Sequence, residues 1–187
     1  MGRAKVVYYG PGLSGMRTSI GWILAQAGEG RRFGFPCMGR VELGRPGGGR
    51  RGLDLYGPPM SIYRDPARVE VLRGVDGIVF VADSQAPRGE ANVEALENLE
   101  QELAAHGRAL VAVPTVLQYN KRDLPSALAV EVLDRMLNGA GRPRFETIAT
   151  RGVGVLEALV ALAGMLDGGG EWGGRGSAGV GVEGVVV

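Results

Sequence analysis

A short apolar run that empties into a glycine loop constrains the fold of this chain more than any other feature. Val6-Val7-Tyr8-Tyr9 is followed by Gly10-Pro11-Gly12-Leu13-Ser14-Gly15-Met16-Arg17-Thr18. A phosphate-binding loop has the same order of strand, glycine turn and helix. Its pattern is Gly, four residues, Gly, Lys, then Ser or Thr. Gly10 and Gly15 keep that spacing, and such a loop turns its backbone amides toward an anion at the start of a helix. Met16 stands at the lysine position and Arg17 at the position of the magnesium-binding hydroxyl. Both side chains that serve triphosphate chemistry are therefore replaced. Glycine turns between strand and helix are also common in α/β proteins that bind no nucleotide. On the loop alone, that plainer reading stays open.

Downstream of the loop, the pattern alternates between helix and strand. Residues 19–27 are predicted helical, 40–43 a weak strand, 44–52 a glycine-rich loop, and 52–56 an edge or second strand. Residues 66–73 suit a short helix with Asp65 as cap and Pro66 in the first position. Gly77-Ile78-Val79-Phe80-Val81-Ala82-Asp83-Ser84 is the clearest strand, a continuous apolar run of the kind covered on both faces. Val93, Leu96, Leu99 and Leu103 recur at helical spacing within 92–106. A strand at 115–119, a helix at 129–137, a strand-like 146–149 and an amphipathic helix at 154–166 complete the series. Alternation of this kind predicts an α/β fold with a mainly parallel sheet.

Composition narrows the function classes. A length of 187 residues suits one domain with a real core. A net charge of +1 gives no electrostatic case for nucleic acid or an anionic membrane. Of the 21 basic residues only Lys5 and Lys121 are lysines, which draws attention to Lys121. Cys37 is the single cysteine, so no internal disulfide or cysteine-rich metal site forms, and it is expected to pack as a small apolar residue. No signal peptide, membrane-spanning run or lipidation box is recognised in the sequence, and the expectation is a cytoplasmic protein. Positions 168–187 hold nine glycines and are expected to form a flexible tail, in which Trp172 is a possible docking anchor.

A second motif gives the glycine loop its meaning. Asn120-Lys121-Arg122-Asp123 follows a buried strand and resembles the Asn-Lys-x-Asp guanine box of Ras-like G proteins. In that box the Asp carboxylate accepts two N–H donors from the guanine edge, the Asn braces neighbouring loops, and the Lys stem covers the flat base. Adenine offers no such donor pair. Ala149-Thr150 resembles, more softly, the Ser-Ala-Lys loop whose backbone amide meets the guanine oxygen. An Asx turn after a strand is the alternative account of Asn120 to Asp123.

Together, the glycine loop, the stretch Leu72-Arg73-Gly74-Val75-Asp76 leading into the clearest strand, and Asn120-Lys121-Arg122-Asp123-Leu124-Pro125 resemble the MglA family. This is the family of bacterial Ras-like GTPases of cell polarity and gliding motility. The resemblance spans about residues 3–166 and leaves 167–187 as a tail. It implies a P-loop NTPase fold, a Ras-like three-layer domain with a mainly parallel six-stranded sheet and the nucleotide at the carboxyl ends of the strands. GTP or GDP is the implied ligand. Gly10, Gly12, Ser14, Gly15, Arg17, Thr18, Asn120, Lys121, Asp123, Ala149 and Thr150 are the residues expected to hold it.

The departures from the family pattern lie on the phosphate side. Met16 can neither donate a hydrogen bond nor supply charge, and losing one partner of a desolvated charge pair costs about 2–5 kcal/mol. Arg17 offers no lone pair to Mg²⁺, and Thr18 is turned about 100° away from it on a helix. Met16-Arg17 reads either as relaxed drift or as a replacement in which Arg17 contacts the β-phosphate. Residues 28–52 contain no Thr or Ser to sense a γ-phosphate. Met60 and Ser61 stand where the family has the Gly and Gln of its second switch. Arg31, Arg32, Arg40 and Arg45 could supply an arginine finger, a weak reading without Mg²⁺.

Asp83 reads as structural rather than as a catalytic acid or metal ligand, and His106 as a solvated residue of a helix end. The leading expectation is a guanine-nucleotide-binding pseudo-GTPase with weak binding and impaired hydrolysis, doubtful use of Mg²⁺, and no assigned catalytic residue. Alternatives are a nucleotide-free interaction module that uses residues 55–64, and a GTPase completed by a partner. The resemblance implies a regulator like MglB at the switch surface.

Overall fold

The strand predicted most clearly lies at the centre of the molecule. A computed structural model describes residues 2–27, 37–44, 49–57 and 66–168 of the chain. In it, β4 (Gly77–Asp83) is buried at every position, as a continuous apolar run requires. Around it lie β1 (Ala4–Tyr9), β2 (Cys37–Gly44), β3 (Arg50–Gly57), β5 (Thr115–Asn120) and β6 (Arg144–Glu146). The six strands are ordered β2-β3-β1-β4-β5-β6. Only the β2–β3 pair is antiparallel. The helices are α1 (Met16–Gln26), α2 (Pro66–Val71), α3 (Gly89–Ala104), α4 (Val130–Leu137) and α5 (Val155–Leu166). This is the expected α/β architecture, a mixed and mainly parallel six-stranded sheet with the strand order of a Ras-like P-loop domain.

Strand periodicity divides the core in two. Tyr8 of β1 and Val79 and Val81 of β4 join Ile20, Ile23 and Leu24 of α1 and Leu159 and Leu162 of α5 on one face. Tyr9, Ile78 and Phe80 join Leu99 and Leu103 of α3 and Leu133 of α4 on the other. Register sets the strand ends level: Tyr9 lies opposite Phe80, and Asp83 opposite Asn120. The loops that leave β1, β4, β5 and β6 therefore emerge along one rim of the sheet, where ligands of such folds sit.

Several boundaries differ from expectation. Helix α1 starts at Met16 rather than at 19, because Met16 is apolar and packs inward. Strand β3 lies between β2 and β1, so it is no edge, and it takes in Arg50 and Arg51 from the expected loop. Ion pairs explain those two arginines: Arg50 with Glu42 at 3.2 Å and Arg51 with Asp167 at 3.6 Å. Strand β6 ends at Glu146, and Thr147 to Ala149 form a loop. His106 is not simply solvated, since a ring nitrogen lies 2.6 Å from the Val69 carbonyl and ties the end of α3 to α2. The Cys37 side chain, Arg31, Arg32, Arg45, Met60, Ser61, Asp65 and the segment from 169 to 187, with Trp172, lie outside the described residues. Among the described residues, no helix is long and apolar enough to cross a membrane.

Candidate functional site

The site begins where β1 runs into the glycine loop. Gly10 has φ +156°, and a Cβ there would collide with the Val81 carbonyl of β4. Gly15 has φ +105°, and a Cβ there would collide with the amide group of Asn120. Each glycine is thus required both by its backbone angle and by a neighbour that fills the space. The loop closes with Ser14 N–H donating to the Pro11 carbonyl at 3.2 Å. Helix α1 opens with Ser19 N–H donating to the Gly15 carbonyl at 2.9 Å. Met16 is 8% exposed and belongs to the core between the sheet, α1 and α5. An unbranched thioether suits such a gap, and it leaves no cation at the loop from this position. Arg17 and Thr18 are exposed.

Asn120, the last residue of β5, joins three segments. Its Nδ2 donates to the Ser14 carbonyl at 2.7 Å. Its Oδ1 accepts from Ala149 N–H at 2.9 Å and from the Thr147 hydroxyl at 3.2 Å. The side chain is 3% exposed, so these bonds satisfy a buried amide that would otherwise be costly. The partners lie 106 and 29 residues away in the chain, unlike those of an Asx turn. Arg122 holds the same loop from outside. Its Nε donates to Glu146 at 2.8 Å, and its backbone N–H donates to the Thr147 carbonyl at 3.2 Å.

Lys121 takes φ +66°, an uncommon angle for a non-glycine residue. Its Nζ donates to Asp83 Oδ2 at 2.7 Å and approaches Gln85 Oε1 at 3.4 Å. Asp83 is 1% exposed and is held by more than the lysine. Its Oδ1 accepts from Gln85 N–H at 3.1 Å, and Asn92 of α3 bonds both its backbone N–H and its carbonyl. Arg88, in a 3₁₀ turn at Ala86–Arg88, sets Nε 3.7 Å from Asp83 Oδ2 and donates through Nη2 to the Gly12 carbonyl at 2.7 Å. The buried carboxylate is thus compensated by two cations and fixes the lysine ammonium.

Between the loops that follow β1, β5 and β6 lies a cleft of about 220 Å³. Of the residues expected to hold a nucleotide, Gly15, Thr18, Asn120, Lys121, Asp123, Ala149 and Thr150 line it. Gly10, Gly12, Ser14 and Arg17 do not line it. Leu13, Leu124 and Ile148 add apolar walls that no motif flagged, and Leu13 is 71% exposed with φ +67°. Asp123 is exposed and makes no hydrogen bond or ion pair with another described residue, so its carboxylate is free to accept donors. Trp22 of α1 packs over Gly152 and backs the loop that carries Ala149 and Thr150, leaving no room for a Cβ at Gly152. Neither Arg88 nor Trp22 carries a signal in sequence, since each acts on a loop distant in the chain. Asp83 sits at a strand end that the sequence did mark.

Beneath the loop, burial pushes the Tyr8 phenol far above its ordinary range. Tyr119 is also pushed up, first by burial and then by its hydrogen bond to Asp134 at 2.9 Å. Both remain neutral phenols.

No protein-family model matches the chain. The chain is 42% identical over 171 residues to the mutual gliding-motility protein MglA of Myxococcus xanthus (strain DK1622). That alignment covers 85% of this chain and 88% of the relative. With this identity along nearly the whole length, and with a glycine loop, an Asn120 brace and a cleft in the arrangement of a Ras-like domain, the chain belongs to the MglA family of small GTPases.

Proposed function

We propose that this chain binds guanine nucleotides through an intact base half and a weakened phosphate half, and that it hydrolyses GTP slowly or not at all. The observation that carries the reading is the Asp123 carboxylate, without a partner among the described residues, at a cleft whose walls Asn120 already braces. A carboxylate there matches the paired N–H donors of guanine, and the Lys121 stem and Leu13 offer apolar surface to a flat ring. Residues 3–166 would form the nucleotide-binding domain. Gly10, Gly12, Ser14 and Gly15 would shape the phosphate cradle, with Arg17 and Thr18 beside it.

The phosphate half supports weak binding. Met16 is committed to the core, so the loop offers backbone amides and helix-end polarity in place of an ammonium. The donor set at the start of α1 does not fit Mg²⁺, since a guanidinium has no lone pair to give. Loss of a metal and of a water-orienting glutamine removes most electrostatic help for phosphoryl transfer.

Titration with a fluorescent GDP analogue, with and without Mg²⁺, tests the reading. The unmodified protein should bind guanine nucleotides selectively and be indifferent to the metal. A Met16→Lys/Arg17→Thr variant should bind at least about tenfold tighter and gain a metal response. Selective tightening of the unmodified protein by Mg²⁺ would instead favour a GTPase completed by a partner, of which an MglB-like regulator is one form. The inward-packed Met16 favours one rival, a nucleotide-free interaction module. Absence of guanine-selective binding in the unmodified protein, with binding by the repaired variant, would rule out the nucleotide reading in its favour.

A further inference from the structure

We propose that Arg88 supplies the phosphate-binding cation of this site, delivered from the turn after β4 in place of the lysine missing from the glycine loop. The proposal rests on the guanine-nucleotide reading above. The cleft that would hold a base against Asp123 and Ala149 is also lined by Leu13, Gly15 and Thr18. A glycine loop of this kind takes phosphates along its backbone amides ahead of the helix, here the stretch from Gly10 to Gly15. Among the described residues, the charged side chain bonded to that stretch is Arg88, whose Nη2 donates to the Gly12 carbonyl at 2.7 Å. The contact spans 76 residues of sequence, so the fold, rather than local chain geometry, delivers the guanidinium there.

Arg88 is also the available cation of the pair around Asp83. Lys121 lies 2.7 Å from the carboxylate oxygen, whereas Arg88 Nε lies 3.7 Å from it. Asp83 therefore keeps a close partner if Arg88 moves. The arginine side chain is 34% exposed, and its guanidinium has five N–H donors, of which the Gly12 carbonyl uses one. A phosphate oxygen is a stronger acceptor than a neutral carbonyl, and the planar fork can bond both at once. Arg17 is the competing cation, yet it is exposed and has no described partner to aim it.

The test compares guanosine with GDP, in metal-free buffer at low and high salt, by ligand-detected NMR and fluorescence titration. Arg88→Gln keeps a donor for the Gly12 carbonyl but drops the charge, while Arg88→Lys keeps the charge. Arg88→Gln should weaken GDP about 10- to 100-fold, flatten its salt dependence and leave guanosine within about twofold. Arg88→Lys should stay within about fivefold of the unmodified protein for GDP, and Arg17→Ala should have the smaller effect. If Arg88→Gln binds GDP as the unmodified protein does, Arg88 only shapes the loop and the proposal fails. Equal losses for guanosine and GDP would also overturn it, because the arginine would then act on the base pocket through Asp83. If the unmodified protein binds neither ligand, the guanine reading itself falls, whereas guanosine binding with a charge-insensitive GDP affinity sinks the Arg88 assignment alone.

Discussion

Asp123 and Asn120 sit three positions apart and do opposite kinds of work. Asn120 commits both ends of its amide, Nδ2 to Ser14 and Oδ1 to Thr147 and Ala149, so it is bound up in the protein itself. Asp123 makes no contact that the described residues need, so its carboxylate is free to accept donors. Asp123→Asn should therefore leave the melting temperature nearly unchanged. It should weaken GDP about 100-fold, through loss of a charge-assisted hydrogen bond of about 3 kcal/mol, while xanthosine diphosphate, which presents a carbonyl there, gains. Competition between the two diphosphates measures the swap, and an unchanged preference would remove Asp123 from the base site. Spacing made Gly10, Gly15, Asn120 and Asp123 legible, because each position has one chemical solution. Arg88 was not legible, since its partner Gly12 is adjacent only after folding.

Among the elements, apolar runs located β1, β4 and β5 almost to the residue, and their mutual register put the loops on one rim. Errors fell where charge covers a regular backbone. The start of α1 was hidden by the polar, exposed pair Arg17-Thr18. Met16 before them packs inward, and Ser19 after them is buried with its hydroxyl 3.1 Å from the Gln118 side chain. The first strands were blurred by Arg50 and Arg51, which ion pairs carry into β3. Met16 decides how the first turn of α1 behaves. Met16→Lys should lower the stability of the nucleotide-free protein by about 1–3 kcal/mol, because a core position would receive an ammonium or lose its filling. Saturating GDP should restore most of that loss, since ligand at 100 times its Kd adds about 2.7 kcal/mol. Urea denaturation with and without GDP measures both effects. Unchanged stability of the free variant would mean that Met16 contributes no packing.

The described residues form one sheet with a separate apolar layer on each face, and Tyr8 is buried in one layer and Tyr9 and Tyr119 in the other. Tyr8 and Tyr119 each have a folded-state pKa above the ordinary 10.0. A raised value means that the unfolded chain ionises first, so the associated stability is complete below pH 10.0 and lost as pH climbs above it. Chemical denaturation should give a flat profile from about pH 7 to 9 and a decline beyond 10. Tyr8→Phe should make the alkaline decline shallower, and at neutral pH it should cost little, because among the described residues the Tyr8 hydroxyl has no hydrogen-bond partner. An alkaline decline identical to that of the unmodified protein would remove Tyr8 from the account.

The Asn120 brace also changes how the guanine box should be weighed as a relic. Removing its side chain would strand a buried carbonyl at Ser14 and a buried N–H at Ala149, at about 1–3 kcal/mol each. A lineage that abandoned nucleotides would still be forced to keep Asn120, simply to stay folded. Nothing in the folding of the described residues would protect Asp123 in the same way. Of the two hallmark residues, only the exposed carboxylate lacks a structural role among the described residues, so under the proposed function it is Asp123, not Asn120, whose presence argues for a ligand.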